Sequence, residues 1–301
     1  MLTIRLSGRF GNYLFQIAAG ATLAHQLGEE FQVLVAPDDE AIAQGESDTM
    51  WNYLQKFHQT IFSQVTFIRE APKGVPMYSW RDFPYKPIPY VQGQDLIIDG
   101  YYQSYKYLSD EAYIRQLYAM PTSIREKLHA HYGQLIDGAF ICLHVRRGDY
   151  LRLPHRFSVC SADYYYKALE LIGGDLPVLI ISDDLPWCRK HLRGSHIHYA
   201  DLSTSMLEDF YLQTLATHNI ISNSSFSWWG AWLNPHPEKI VIYPTPWFGP
   251  HSRHYDTRDL CPPEWIALPN RTPLRYRLKA NWIRGVMKIG RIFSNKNHSF
   301  F

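Results

Sequence analysis

The segment His144-Val145-Arg146-Arg147-Gly148-Asp149-Tyr150 has the residue types for handling a diphosphate. It follows an apolar run, Ala139 to Val145, that reads as a buried strand. Open α/β sheets bind ligands at the carboxyl ends of their strands. Two adjacent arginines there present planar forks that match phosphate oxygens. A leaving nucleoside diphosphate gathers negative charge, so a fixed guanidinium stabilises the transition state more than the ground state. For a lone Arg-Arg pair, a solvated surface or an ion pair is the simpler reading. The strand before it and Asp149 beside it favour a functional one. The Arg-Gly-Asp tripeptide also occurs in adhesive ligands, but three residues recur by chance.

Three other segments carry weaker signals. Gly8-Arg9-Phe10-Gly11-Asn12 joins a strand to a helix. It is neither G-x-G-x-x-G nor a P-loop. A tight turn explains it as well as a close backbone approach to an anion at a helix start. Ser222-Asn223-Ser224-Ser225-Phe226-Ser227-Trp228-Trp229-Gly230-Ala231-Trp232 also lies between a strand and a helix. Its hydroxyls and free amides suit phosphate oxygens, although simple N-capping needs only one serine. Its tryptophans read as core rather than as a sugar platform. Glu208-Asp209 sits on a helix, where a carboxylate accepts both guanine N–H groups or is a plain surface charge. Ser182-Asp183-Asp184 ends a strand and suits a metal or a ribose. No two aspartates stand two residues apart, so the Asp-x-Asp signature of metal-dependent sugar transferases is missing. Neither HExxH nor G-x-S-x-G occurs, which leaves hydrolase readings without support.

These residues need a scaffold of alternating strands and helices. Leu2, Ile4 and Leu6 predict a strand, Tyr13 to Leu27 a helix ended by Gly28, and Phe31 to Val35 a second strand. This is the start of a Rossmann-like βαβ unit. Residues 72–106 are rich in Pro and Tyr and resist assignment, apart from a strand at Leu96–Gly100. Helices are expected at 109–118, 121–132, 161–172, 205–217 and 225–234. Strands are expected at 139–145, 178–181, 197–199 and 219–222, with the last at 239–243. The alternation argues for an α/β fold with parallel sheets covered on both faces. A break near Gly138 divides it into an N-terminal domain, 1–137, and a second domain, 138–270, followed by a tail, 271–301. The 46% hydrophobic content across 301 residues excludes global disorder. Four scattered cysteines, with no CxxC pair, argue against zinc and a disulfide framework and fit a reducing compartment.

Four blocks together carry a family resemblance: GRFGNYLFQIAAGATLA (8–24), GYYQSYKYL (100–108), HVRRGDY (144–150) and SNSSFSWWGAWL (222–233). In this order they resemble the bacterial-type α-1,2-fucosyltransferases of glycosyltransferase family 11, over about residues 3 to 245. The resemblance implies a GT-B-like fold, two Rossmann-like domains facing across a cleft, with the N-terminal one on the acceptor side. It also implies metal-independent, inverting transfer of L-fucose from GDP-β-L-fucose to the 2-hydroxyl of a galactose-type residue. Arg146 would then meet the β-phosphate, and Asn12 would project toward the reacting centre. The implied donor-binding set is Gly11, His144, Arg147, Asp183, Asp209, Ser224, Ser225 and Phe226. Asp209 and His144 would face the guanosine, and Ser224 or Ser225 the phosphates. Asp149, His144 and Asp99 are candidate bases. No cofactor and no metal are expected. A non-catalytic glycan- or nucleotide-binding protein on the same scaffold and a transferase for another GDP-sugar are the alternatives.

Charge is unevenly placed. Residues 271–301 hold eight Lys or Arg and no Asp or Glu, which leaves the remaining chain with 22 basic and 28 acidic residues. Leu274, Leu278, Trp282, Val286, Ile289 and Phe293 recur every three or four residues, predicting an amphipathic helix. Two readings stand for 272–285: contact with an anionic membrane, or docking onto the acidic N-terminal domain. Beyond 285 membrane contact is expected. Nucleic acid is not an expected partner, for want of a recognisable module. The expected partners are GDP-fucose and a galactose-containing oligosaccharide or lipid-linked glycan. The expected location is the cytoplasm, peripheral to the inner face of the plasma membrane.

Overall fold

The computed structural model describes residues 1–35, 50–203 and 205–296, with 289–296 as backbone only. The chain divides into two compact units. The first comprises Met1–Lys127 and Asp256–Pro263, the second Leu128–Tyr255 and Glu264–Phe301.

The first unit begins with β1 (Leu2–Arg5), α1 (Phe10–Leu27) and β2 (Phe31–Leu34), as the sequence predicts. Gly28 ends α1 in the left-handed region, φ +64°, where its N–H donates to the carbonyl of His25. After α2 (Met50–Gln55) come β3 (Phe67–Ile68), β4 (Met77–Trp80), β5 (Leu96–Gly100) and α3 (Glu111–Leu117). The sheet order is β3-β2-β1-β5-β4, and the paired strands are all parallel. Central β1 is therefore covered on both faces, and Leu2 and Ile4 are fully buried.

Helix α4 (Thr122–Ile136) spans the junction between the units. The sequence places the break near Gly138, but Gly138 lies just beyond this helix. Leu128 is fully buried, and Tyr132 Oη accepts from the Leu202 N–H at 3.0 Å, so the later turns of α4 belong with the second unit. Residues 256–263 return to the first unit because Asp259 pairs with Lys106 at 2.6 Å and accepts from the Tyr85 N–H at 3.1 Å.

The second unit runs β6 (Ile141–Val145), α5 (Ala162–Ile172), β7 (Val178–Ser182), α6 (Leu185–His191) and β8 (Ile197–Tyr199). It continues through α7 (Met206–Leu212), β9 (His218–Ile220), α8 (Ser225–Leu233), β10 (Val241–Thr245), β11 (Ile266–Pro269) and α9 (Leu274–Lys296). Its six-stranded sheet has the order β11-β10-β9-β6-β7-β8, again with parallel pairing. The expected α/β class with two parallel sheets is present. The expected helix at 205–217 is shorter: α7 passes into a 3-10 turn at Gln213–Leu215. The strand expected to be last is followed by β11. All four cysteines are buried and free. Trp228 and Trp229 are fully buried and Trp232 nearly so, in a cluster with Trp265, as core residues rather than a sugar platform. Among the described residues, no helix is long and apolar enough to cross a membrane.

Candidate functional site

The second unit gathers most of the site residues at the ends of its strands. Every residue of β6 is buried, so His144 enters the interior at its end. Its Nδ1 lies 2.9 Å from Ser222 Oγ, and its ring stands 5.5 Å from that of Phe226. Burial pushes the His144 pKa down to about 3, and the nearby Arg146 charge adds to this. The imidazole is therefore neutral at ordinary pH, and its depressed basicity weakens it as a catalytic base.

Arg146 is the more accessible of the two arginines, with 26% of its side chain exposed. Its Nη2 donates to Asp149 Oδ1 at 2.7 Å, and its Nη1 pairs with Asp183 Oδ2 at 3.0 Å. The guanidinium carbon stands 5.7 Å from the centre of the Tyr150 ring. Burial opposes its charge, but Asp183 and Asp149 outweigh that and hold its pKa above the ordinary arginine value. The fork is thus fixed before any ligand arrives.

Arg147 takes a different position. It is buried, with its guanidinium 3.9 Å from the centre of the Trp187 ring. Its Nε donates to Asp184 Oδ2 at 2.9 Å and its Nη2 to Tyr276 Oη at 3.3 Å, while its backbone N–H donates to Asp183 Oδ1 at 2.8 Å. These partners come from the turn between β7 and α6, from α6 itself and from α9, so Arg147 braces the loop from inside. Gly148 permits the arrangement: a Cβ there would meet Asp183 Oδ2 at 2.7 Å, nearer than side chains tolerate.

A helix start lies beside this loop. Tyr150 Oη donates to the Asn223 carbonyl at 2.9 Å, and Asn223 Nδ2 donates to the Trp247 carbonyl at 2.7 Å. Ser224 occupies the N-cap of α8 with extended backbone, yet its side chain makes no capping hydrogen bond. Ser225 opens the helix, and the first amides of α8 form a positive pole that suits an anion.

Asp209 lies on α7. Ser205 caps this helix by accepting from the Glu208 N–H at 3.2 Å. Glu208 is fully buried. Asp209 Oδ1 is buried with no hydrogen-bond partner among the described residues. Burial raises the Asp209 pKa to about 6; a hydrogen bond from Ser203 opposes the rise and the Glu208 charge adds to it. Phe226 links the two regions, since its ring lies 5.5 Å from that of His144 and 5.6 Å from that of Phe210, the neighbour of Asp209. An unpartnered buried carboxylate oxygen is costly unless a ligand supplies the donor.

Gly11 and Asn12 belong to the first unit, near the start of α1. Gly8 adopts φ +87°, and a Cβ there would lie 2.2 Å from Asn12 Nδ2. Gln16, fully buried, accepts from the Ser7 N–H and donates to the Ser7 carbonyl. Asn12 Oδ1 accepts from Gln103 Nε2 at 2.8 Å. Sequence reasoning overlooked Gln16, Gln103 and Asn223, although all three stand within the quoted blocks. Asp99, a candidate base, is also in the first unit. It is buried, pairs with Arg81 at 2.7 Å and accepts from Ser79 at 3.1 Å.

The chain is similar to known glycosyltransferases. The O-antigen biosynthesis glycosyltransferase WbnK of Escherichia coli is 37% identical over 136 residues, covering 42% of this chain and 43% of that protein. An alpha-1,2-colitosyltransferase, also of Escherichia coli, is 32% identical over 139 residues, covering 42% of this chain and 47% of that protein. The matches thus span less than half the length of these two relatives. A galactoside 2-alpha-L-fucosyltransferase, Sec1 of Mus musculus, is 26% identical over 286 residues, covering 89% of this chain and 74% of that protein. The solved alpha-1,6-fucosyltransferase NodZ soaked with GDP-fucose has 17% identity and a TM-score of 0.47, covering 78% of this chain and 92% of that one; this likeness is too loose for residue-level argument. The family model described as Glycosyl transferase family 11 matches residues 1–268, nearly the whole chain outside the basic tail, and the chain belongs to that family.

Proposed function

We propose that this protein is a metal-independent glycosyltransferase of GT-B architecture. Its reaction is transfer of L-fucose from GDP-β-L-fucose to the 2-hydroxyl of a galactose-type residue, with inversion. The observation that carries this reading is Arg146, fixed by Asp149 and Asp183 at the end of β6. In the reaction the acceptor oxygen bonds to C1 of fucose from the face opposite the nucleotide. The C1–O bond breaks, its electron pair leaves with GDP, and the hydroxyl proton passes to a base or to water. Arg146 neutralises the charge growing on the β-phosphate, and the α8 amides with Ser224 and Ser225 take other phosphate oxygens. Asp209 accepts from the guanine N–H groups through its unpartnered oxygen, with His144 and Phe226 beside the nucleoside. Asn12, held by Gln103, is the further catalytic residue of this reading. Asp149 is the remaining candidate base in the loop, once its hydrogen bond to Arg146 is shared with phosphate.

The acceptor is proposed to be a galactose-containing or lipid-linked glycan, met in the cytoplasm at the membrane surface. The relative named as a colitosyltransferase keeps a second donor sugar in play. A donor and acceptor screen read by mass spectrometry tests the reaction, with Arg146→Ala as control. Fucosyl transfer that disappears in Arg146→Ala is expected. Near-normal turnover of Arg146→Ala would remove the pyrophosphate assignment.

A further inference from the structure

We propose that α9 is a docking element for an anionic membrane, seated on the second unit by one face and presenting the other to lipid. The proposal is independent of which sugar is transferred.

The inner face is already satisfied by protein. Tyr276 Oη accepts from Arg147, and Lys279 Nζ donates to the Leu151 carbonyl at 2.9 Å. Ala280 is 1% exposed, and Ile283 and Met287 are half-buried. At 100° per residue, Tyr276, Ala280, Ile283 and Met287 form one narrow stripe along the helix. The partners named belong to the second unit.

The outer face is a separate apolar stripe. Leu274, Leu278, Trp282 and Val286 are 63%, 59%, 69% and 51% exposed. Ile289 and Phe293 continue its spacing in the sequence, but their side chains lie outside the described residues. A contiguous exposed row of this kind marks an interaction surface rather than scattered exposure. Basic residues accompany it: Arg275 lies within the angular range of the stripe, and Arg277, Arg284 and Lys288 lie beyond one edge, between it and the inner stripe. No Asp or Glu occurs anywhere in 271–301.

That charge pattern selects the occupant. A second copy of this helix would bring the same cations face to face. An anionic lipid surface satisfies the cations at the headgroups and the leucines and tryptophan at the acyl boundary, where an indole is well suited. The helix axis would then lie along the membrane plane. Because Tyr276 and Lys279 contact the segment containing Arg147 and Leu151, the lipid-bound helix would rest against the same loop that holds Arg146.

The test is flotation of the full chain with phosphatidylglycerol-containing vesicles and with pure phosphatidylcholine vesicles. Leu278→Glu/Trp282→Glu addresses the apolar stripe and Arg284→Glu/Lys288→Glu the charge, and thermal melting checks that both variants fold. The wild type should float with the anionic vesicles and not with the neutral ones. Either variant should partition about 100-fold more weakly, and high salt should release the wild type. GDP binding by calorimetry should stay the same in both variants, which separates this proposal from the donor reading. Equal flotation of wild type and variants would overturn it. So would a wild-type dimer in light scattering that Leu278→Glu/Trp282→Glu converts to monomer, since a second copy would then cover the stripe.

Discussion

The turn after β1 and the turn after β6 have corresponding places in two parallel sheets. Each follows an interior strand and carries a candidate for the reaction. Their bracing differs. The first turn is held by neutral amides: Gln16 closes on Ser7, and Gln103 fixes Asn12. The second is held by charge: Asp149 and Asp183 on Arg146, Asp184 on Arg147. A network of amides keeps its geometry when an anion arrives and when pH changes. A network of carboxylates around a guanidinium is already close to balanced, and an incoming diphosphate must share the arginine with them. The second turn is therefore braced by charge, and the first by neutral hydrogen bonds. Within the second turn the two arginines differ, Arg146 being partly exposed and Arg147 buried.

The largest effect should come from breaking that division. Arg146→Ala is expected to lower kcat/KM by about 10³-fold while the protein remains folded, from the loss of one transition-state donor. Steady-state kinetics with circular dichroism measures both. Arg147→Ala should instead cost about 3 kcal/mol of stability, because Asp184 loses its buried partner and Trp187 its stacked cation. Urea denaturation reads this. An unchanged midpoint would mean that the two arginines are not divided as described.

Asp209 gives the next effect, with a sign fixed by its raised pKa. The folded state favours the neutral acid, so the stability from this group is complete below the ordinary value of 3.8. It is lost as pH climbs from there through about 6 and is constant above. Unliganded Asp209→Asn should thus melt no lower than wild type at pH 7 to 8. Guanine recognition needs the ionised carboxylate. GDP affinity of the wild type should therefore fall below pH 6, approaching about tenfold per unit, and the Asn variant should lack this slope. Titration calorimetry across pH 5 to 8 decides it. A slope that persists in the variant would move the effect to another group.

The smallest effect belongs to the neutral turn. Gln103→Ala removes one hydrogen bond from Asn12, worth about 1 kcal/mol. The expected result is a drop in kcat of about fivefold with an unchanged KM for the donor. A change confined to donor KM would place Gln103 on the nucleotide instead.

The legible parts of the sequence were those in which local pattern and long-range packing agree. The buried runs at Leu2–Leu6, Leu96–Gly100 and Ala139–Val145 led to strands, and the alanine-rich segment closed by Gly28 led to α1. β3 and β4 escaped notice because one has two residues and the other alternates partly exposed Met, Tyr, Ser and Trp without an apolar run. α6 contains a proline and ends in Arg-Lys-His, so no apolar period spans its seven residues. Of the site, the motif segments were visible because they cluster in sequence. The roles within them were not. Arg146 and Arg147 are adjacent and identical in type, and only the positions of Asp183, Asp184, Trp187 and Tyr276 separate them. Asp209 and Glu208 were likewise a pair until burial left one oxygen of Asp209 without a partner.

The return of residues 256–263 to the first unit sets an order of assembly. Asp259 holds Lys106 and the Tyr85 amide, and its carbonyl accepts from the Tyr105 N–H. A ribosome therefore releases the β1-to-α3 portion long before the segment that closes it, and nearly all of the second sheet emerges in between. The first half is therefore completed only after residues 256–263 have emerged, and a nascent chain stalled before Asp256 would carry an unfinished first half.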